Sequence, residues 1–136
     1  MSSDSTRPDQ VVLFIDYCLG RFAVPDVLKA SGAHVEIHLD HFRPDMPDDE
    51  LLAEIGLRGW VFISKDGNIR RRPLESGALM AAGVKAFILT SGNLRSVEQA
   101  EVFRVALPKM LAICAGHAGP FIARVTRSGD VAIIAE

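Results

Sequence analysis

Short apolar segments that are typical of buried strands recur along the whole chain. Residues 11–15 and 60–64 form continuous β-rich runs, as expected for central strands that are covered on both faces of a sheet. Residues 34–39 alternate between apolar and polar positions and predict a half-exposed strand. Further strands are predicted at residues 85–89, 121–125 and 131–134, the last two as a hairpin around a Gly-Asp turn.

Segments with helical spacing separate these strands. The first helix is predicted to contain Pro25, a residue that suits an opening turn, and to place Ala30 against the sheet. Residues 17–24 are either a preceding turn or a kinked first half of the same helix. The second begins at Asp48, because acids suit the positive end of the helix dipole. The third runs from Pro73, with Leu74 on its inner side. The predicted stops of these helices are Gly32, then Gly56 or Gly59, and then Gly83.

A long fourth helix is predicted before the hairpin, with Ser91 or Asn93 as its cap and a bend at Pro108. Strands and helices therefore alternate until the last two strands. This order predicts an α/β fold, with helices on both faces of a mostly parallel central sheet and an antiparallel β-hairpin at the C-terminus. The segment SKDGNI after the third strand is predicted to be a turn.

Composition limits the class of protein. A chain of 136 residues predicts one domain, with the polar residues 1–10 as a disordered lead. A net charge of −2 argues against coating nucleic acid by charge alone. Two cysteines are too few for a disulfide framework. The chain has neither a signal peptide nor an apolar run near the ~20 residues of a membrane span, so a cytoplasmic location is expected.

Acidic residues cluster at one predicted edge of the sheet. Asp16 and Asp66 follow buried strands, and the carboxyl ends of parallel strands share the edge where open α/β folds bind ligands. Asp48 begins a helix at this same edge. Clustered carboxylates repel one another, and a bound Mg²⁺ or Mn²⁺ relieves that repulsion. The pattern predicts a metal site of these three acids, with Glu75 and Glu50 as further candidates.

The same acids also have a purely structural interpretation. Asp48 would only cap its helix, and Asp66 would only form an Asp-Gly turn. The histidines have a comparable ambiguity: His38 and His41 have a spacing that a zinc site uses, yet no cysteine accompanies them. Neither Cys18 nor Cys114 lies beside an obvious base.

The arginine triplet is the only basic run in the chain. Arg70, Arg71 and Arg72 follow the acid-bearing segment, where positive charge positions the phosphates of a nucleic acid. Lys65 and Arg43 extend this basic patch. The alternative is that the triplet is a solvated entrance to the next helix.

Four segments in chain order resemble the PIN-like domains of the VapC type, which are toxin ribonucleases of toxin–antitoxin modules. The most specific part is the spacing from Asp48 through Gly59-Trp60 to Asp66. The chain departs from the pattern at Ser64, where threonine is usual, and by lacking an acid after the fourth strand. The resembling segments are VVLFIDYCLG, VEIHLDHF, DDELLAEIGLRGWVFISKDGNIRRRPLE and AFILT.

This resemblance implies a single PIN-like domain over residues 11–136 with a three-layer α/β/α sandwich. It further implies an endoribonuclease that uses Mg²⁺ or Mn²⁺ to hydrolyse RNA phosphodiester bonds, with a cognate antitoxin protein as partner and a homodimer as the common family state. By position, the metal-binding acids are Asp16, Asp48 and Asp66, with Glu75 or Asp49 as the fourth. The RNA-binding residues implied are Lys65, Arg70, Arg71 and Arg72.

Two other interpretations remain open at the level of sequence. A receiver-like signalling domain also has acids after its first and third strands and would be phosphorylated on Asp66, with Thr90 after the fourth strand. Against it, the first strand lacks a paired acid. A catalytically degenerate PIN-like interaction module would keep the fold without the activity.

Overall fold

Residues 11–136 are described by a computed structural model of the chain, and the lead predicted over residues 1–10 lies outside them. Six strands form one sheet in the order β2-β1-β3-β4-β5-β6, parallel except for the antiparallel β5-β6 pair. The strands are β1 (Val12–Ile15), β2 (His34–Ile37), β3 (Val61–Ser64), β4 (Lys85–Leu89), β5 (Phe121–Val125) and β6 (Val131–Ala135).

Helices cover both faces of this sheet. Helix α1 packs on α5 on one face, and α2 packs on α4 on the other. The helices are α1 (Ala23–Ala30), α2 (Asp48–Arg58), α3 (Asn68–Arg71), α4 (Pro73–Ala81) and α5 (Ser96–Gly116), and 3₁₀ turns are formed by Tyr17–Leu19 and His38–Asp40. The predicted α/β/α sandwich with a mostly parallel sheet and a C-terminal hairpin is confirmed.

The apolar core has one layer on each side of the sheet. Side chains alternate along a strand, so Leu13 and Ile15 face the layer below α1 and α5, whereas Phe14 faces the layer below α2 and α4. In that second layer the ring of Phe14 stacks on Phe62 at 6.2 Å between centroids and on Trp60 at 5.7 Å. The continuous apolar runs of the sequence are explained by this burial on both faces.

The strand order reverses next to β1. The chain passes from β1 to β2 on one side and then crosses to β3 on the other, which places a topological switch point at the carboxyl ends of β1 and β3. At this point the backbone N–H of Asp16 donates to the carbonyl of Ile63 at 2.9 Å. The two predicted strand-end acids therefore lie on adjacent strands at a crevice where open sheets bind ligands.

Helix α1 includes the last two residues of the segment 17–24, whose structure the sequence left open. It starts at Ala23, so Pro25 is its third residue, buried in the core, and Ala30 is exposed instead of facing the sheet. Proline is tolerated there because the first N–H groups of a helix have no partner within it. Helix α2 ends at Gly59, not Gly56: Gly59 has a φ of 68°, and its N–H and that of Trp60 donate to Gly56 and Ile55.

Strand β2 is shorter than the alternation predicted. It ends at Ile37, and His38 begins a 3₁₀ turn that buries the imidazole to 3% exposure. The reason is tertiary, because the His38 Nε2 bonds to the Arg43 carbonyl at 2.8 Å and the ring packs against Phe14.

Three expectations beyond β3 were wrong. The end of SKDGNI is helical instead of a simple turn, since α3 begins at Asn68. Leu74 is 88% exposed because it lies on the outer side of α4. Neither Ser91 nor Asn93 caps α5, which begins after Arg95, whose N–H donates to the Glu98 carboxylate at 2.9 Å. No helix within residues 11–136 has both the length and the apolar character to cross a membrane.

Candidate functional site

One buried hydroxyl group joins the two acids at the strand ends. Ser64, the last residue of β3, is 0% exposed. Its Oγ donates to Asp16 Oδ2 at 2.7 Å and accepts the backbone N–H of Asp66 at 3.0 Å. The hydroxyl therefore fixes the Asp16 carboxylate relative to the backbone of Asp66.

Further hydrogen bonds orient Asp16. Its Oδ1 accepts the backbone N–H of Tyr17 at 2.8 Å, and its Oδ2 accepts the thiol of Cys18 at 3.4 Å. The Cys18 sulfur also contacts Ser64 Oγ at 3.4 Å. Loss of contact with water, followed by the charge of Asp16, raises the pKa of Cys18 to about 11. The Cys18 thiol is therefore neutral at neutral pH and donates to Asp16. This agrees with the sequence, in which no obvious base lies beside Cys18.

Asp66 stabilises a turn and also leaves one carboxylate oxygen for the candidate site. Its Oδ1 accepts the backbone N–H of Asn68 at 3.0 Å, so it does stabilise the turn into α3. This bond uses one oxygen of the carboxylate, which lies only partly exposed next to the Asp16 site. The turn-forming role therefore leaves the other oxygen for a ligand.

Asp48 is not the cap of its helix. Pro47 occupies the cap position, and no side-chain hydrogen bond closes the start of α2. Partial desolvation, followed by the negative charges of Asp16, Asp66 and Glu75, raises the pKa of Asp48. The structure thus brings the carboxylates of all three predicted acids into one electrostatic field, at the edge where the sequence predicted them.

The two predictions for a fourth acid are not equivalent in the structure. The side chain of Glu75 is only 18% exposed, pairs with Arg72 at 3.8 Å, and acts on Asp48 more strongly than Asp49 does. Asp49 instead lies at the rim of a groove between α2 and α4 that has a volume of about 510 Å³ and is lined by small apolar residues such as Ala53.

The four acids interact electrostatically, but their side chains do not converge closely enough to form a complete set of metal ligands. Within residues 11–136, no three histidine, cysteine, aspartate or glutamate side chains are near enough to hold a metal ion among them. Mutual repulsion of carboxylates favours such spacing. The donor chemistry itself fits a hard divalent cation, because Asp16, Asp48, Asp66 and Glu75 all offer carboxylate oxygens.

The three arginines of the triplet lie in three different environments. No carboxylate in the described part of the chain pairs with Arg70, which is exposed on α3. The guanidinium of Arg71 lies directly against Gly67, where a Cβ atom would collide with it. Arg72 pairs with Glu75. Lys65 is half-buried beside Asp66.

Of the two histidines with zinc-like spacing, His38 is bonded to the Arg43 carbonyl, whereas His41 joins His34 in a hydrogen-bond network around Glu36 at the β2 edge. His41 Nε2 contacts Glu36 at 2.7 Å, and His34 Nε2 contacts the other oxygen of Glu36 at 3.3 Å. These contacts, the His41 bond first, lower the pKa of Glu36. Arg58 packs over Trp60 at 5.0 Å and reaches His41. The network stabilises the edge strand and is separate from the acid cluster.

The sequence did not identify Ser64 as a site residue. It showed only that serine stands where threonine is usual in the family. The available signal was a lone polar residue at the end of a buried strand.

Replacing Ser64 by alanine is expected to lower the free energy of unfolding by about 1–3 kcal/mol, since the Asp66 N–H loses its acceptor and Asp16 loses a donor. Urea denaturation measures the change. The matched control is Ser76→Ala, which removes a longer bond of 3.3 Å to the Pro73 carbonyl at the surface. An equal and small effect of both substitutions would show that Ser64 does not join the acids.

Comparison with known proteins identifies the family of this chain. A family model described as "PIN like domain" matches residues 11–91, which include β1, the acids and β4. The chain is 27% identical over 126 residues to the protein named "Putative ribonuclease VapC45" of Mycobacterium tuberculosis (strain ATCC 25618 / H37Rv), covering 90% of this chain and 91% of that protein. No solved structure matches the chain. The resemblance seen in the sequence is confirmed: this chain belongs to the PIN-like domain family.

Proposed function

We propose that this protein is a metal-dependent endoribonuclease in which Asp16, Asp48 and Asp66, with Glu75 as the fourth acid, form one Mg²⁺- or Mn²⁺-binding centre. The observation that supports this most is geometric: at the switch point of the sheet, the buried Ser64 hydroxyl donates to Asp16 Oδ2 at 2.7 Å and accepts the Asp66 N–H at 3.0 Å. Desolvation, followed by the charges of Asp16, Asp66 and Glu75, raises the pKa of Asp48, which agrees with a carboxylate that faces the same site.

The cation would relieve the repulsion among these carboxylates. Asp16 and Asp66 supply oxygens from adjacent strands, Asp48 supplies one from the start of α2, and Glu75 supplies one from the first turn of α4. When bound, such an ion provides Lewis-acid activation of water and of the phosphodiester. The hydrogen bonds from Ser64, Tyr17 and Cys18 hold Asp16 in one orientation, which lowers the cost of ordering a ligand set.

The basic residues beside the acids suit a polyanionic substrate. Arg71 lies over Gly67, next to Asp66, and Arg72 is tethered to Glu75, so both guanidinium groups are positioned at the same edge as the acids. Arg70 projects from α3 as an exposed positive charge. Together they provide local positive charge on a chain whose net charge is −2, which agrees with a phosphate-positioning role confined to the site.

The similarity to a protein named as a VapC ribonuclease supports a biological role as well as an activity. We infer that the protein is the toxin of a toxin–antitoxin module, and that a cognate antitoxin protein restrains it. A homodimer is the assembly that the resemblance implies.

Cleavage of RNA by the purified protein tests the proposal. We expect a fluorescent oligoribonucleotide to be cut in the presence of Mg²⁺ or Mn²⁺, to remain intact with a chelator, and to be cut again when the metal is restored. Chelator-resistant cleavage would exclude the metal centre. Absence of cleavage together with aspartyl phosphate formation from acetyl phosphate would instead support the receiver-like interpretation of Asp66.

Arg70→Ala is expected to weaken RNA binding more than Arg104→Ala, because Arg104 on α5 is already engaged by Glu101. Loss of one phosphate contact reduces the dependence of the binding constant on salt by about one unit of slope. Fluorescence anisotropy over a range of salt concentrations measures both quantities. Identical slopes for the two variants would remove Arg70 from the RNA interface.

A further inference from the structure

Strand β6 is an edge of the sheet that lacks the usual protection against further pairing. Within residues 11–136 it pairs only with β5, so the backbone N–H and C=O groups along its outer edge have no strand partner. All five of its residues, Val131 to Ala135, are apolar. Proteins normally protect such an edge with charged side chains, proline or a covering element. The edge of β6 is therefore suited to pairing with another strand.

The opposite edge of the sheet is protected. Strand β2 is only four residues long and is followed at once by a 3₁₀ turn. Its residue Glu36 contacts the imidazoles of His34 and His41 at 3.3 and 2.7 Å. Polar and titratable side chains thus occupy the edge of β2, whereas β6 has none, so we expect strand pairing at β6 and not at β2.

One face of β6 has apolar side chains that remain in contact with solvent. Val131 and Ile133 pack against the core below α5, so Ala132 and Ile134 point to the other side of the sheet. Ile134 is 36% exposed there. Coverage of this apolar surface by a partner would be favourable.

An exposed arginine lies beside this face. Arg124 of β5 is the direct cross-strand neighbour of Ala132, and among residues 11–136 its guanidinium pairs with no carboxylate. Because Ala132 is small, the arginine side chain can extend across it toward a strand that pairs with β6. An acid that can meet it there is Glu136, which is exposed and follows β6 on the same face as Ala132.

We propose that β6 pairs antiparallel with β6 of a second copy of this chain, about a two-fold axis at Ile134, so that one sheet continues through both copies. This register places Ile134 beside its own copy and Ala132 beside Glu136 of the other chain. Arg124 then lies in the same cross-strand row as that Glu136, and the symmetry forms this ion pair twice. A two-fold contact requires a self-complementary surface, which the apolar centre and the flanking opposite charges provide.

Electrostatics select this register over its two neighbours. An axis at Ile133 would place Asp130 opposite Glu136 of the other copy, and like charges that face each other across a strand pair are destabilising. An axis at Ala132 would align Arg124 with its own copy. The axis at Ile134 is the one that opposes unlike charges.

Helix α5 extends the surface beyond the strand. Val105, which is 41% exposed, lies against Gly129 of the turn between β5 and β6, and Lys109 Nζ donates to Asp130 at 3.2 Å. Pro108 is exposed on the same side of the helix, three residues after Val105. A two-fold axis perpendicular to the sheet keeps both α5 helices on one face of the joined sheet, so this side of α5 approaches its copy.

The pairing leaves the two acid centres apart. Because the axis reverses the direction of every strand, the carboxyl ends of β1 and β3 in the two copies lie at opposite ends of the joined sheet. The inference specifies the surface of the homodimer included in the proposed function, and it does not depend on the nuclease activity.

Sedimentation velocity with charge-exchanged variants tests the interface. Arg124→Glu and Glu136→Arg each replace both ion pairs of the dimer by like charges, so each should weaken self-association by about tenfold. An equimolar mixture of the two variants restores opposite charges in both rows and should associate as tightly as the wild type. Only contact between copies of this chain produces that rescue. Lys29→Glu makes the same change of charge on α1, which packs beside β2, and should leave self-association unchanged.

A second pair of variants tests the centre of the interface. Ile134→Lys places two ammonium groups at the axis and should abolish the dimer. Leu57→Lys introduces the same group on α2, where the leucine is 82% exposed, and should remain dimeric. Circular dichroism and thermal unfolding of each variant establish that it is folded.

The outcomes distinguish this inference from the proposed function. A wild type that stays monomeric at every accessible concentration would overturn the interface, as would a dimer that neither Ile134→Lys nor the charge-exchanged variants weaken. Weakening without rescue in the mixture would overturn the pairing of Arg124 with Glu136. Metal-dependent RNA cleavage, measured on the same preparations, decides the ribonuclease separately, because a rescued dimer that cuts no RNA would retain this interface and overturn the nuclease.

Discussion

Asp16→Asn is expected to lower the rate of RNA cleavage by about a thousandfold, which is the largest change in activity that we expect from a single substitution. A catalytic metal ion supplies several kcal/mol of transition-state stabilisation, and each ~1.4 kcal/mol corresponds to a factor of ten in rate. Asparagine has nearly the same shape, and its amide oxygen can still accept the hydroxyl of Ser64, but its amino group then faces the Tyr17 N–H that Asp16 Oδ1 accepts at 2.8 Å. The loss therefore combines the missing charge of the ligand with one missing hydrogen-bond acceptor.

The matched control for this experiment lies on the helix that Asp48 begins. Glu54→Gln removes an acid that pairs with Arg58 away from the cluster, and it should cleave at the wild-type rate. Single-turnover rates with saturating Mn²⁺ provide the comparison, with circular dichroism as the check on folding. Cleavage by Asp16→Asn within a few fold of the Glu54→Gln rate would place the chemistry elsewhere.

Asp48→Asn is expected to make the metal-free protein slightly more stable, raising the midpoint of thermal unfolding by about 1–3 °C, because Asp48 is exposed and solvent screens the repulsion. In the wild type, desolvation and the charges of Asp16, Asp66 and Glu75 disfavour the ionised Asp48 carboxylate. A neutral amide avoids this cost. It also forfeits a favourable interaction with the dipole of α2, which reduces the net gain.

Divalent metal should reverse this order of stability. A cation that binds only the folded protein stabilises it by about 2.7 kcal/mol at a hundredfold excess over its dissociation constant. The wild type gains that stabilisation, whereas the variant that lacks one ligand gains less. Differential scanning calorimetry with a chelator and then with Mn²⁺ measures both states. A variant that is less stable than the wild type under both conditions would show that Asp48 has a structural role in its helix.

The positions of the acids could be predicted from the sequence because they depend on topology alone. Asp16 and Asp66 each follow an apolar strand, and parallel strands necessarily end at one edge. Asp48 begins a helix that leads into the next strand, which places it at the same edge. None of these deductions required knowledge of a side-chain contact, so they depended only on recognising the elements.

The contacts that tune the site could not be predicted, because they join residues that are distant in sequence. Ser64 and Asp16 are separated by 48 positions, and their hydrogen bond exists only because β1 and β3 are neighbours in the sheet. The burial of His38 depends similarly on Phe14 from another strand and on the following loop. Leu74 occupies an apolar position in the helical pattern yet faces solvent, since the pattern in a short helix does not fix which side meets the core.

Calorimetric titration with Mn²⁺ shows whether acids from separate elements form one metal centre. The wild type and Glu54→Gln should bind the ion with the same affinity, whereas Asp16→Asn, Asp48→Asn and Asp66→Asn should each bind it at least about tenfold more weakly, because each removes a charged oxygen ligand. Wild-type affinity in all three aspartate variants would show that these acids do not form a metal centre.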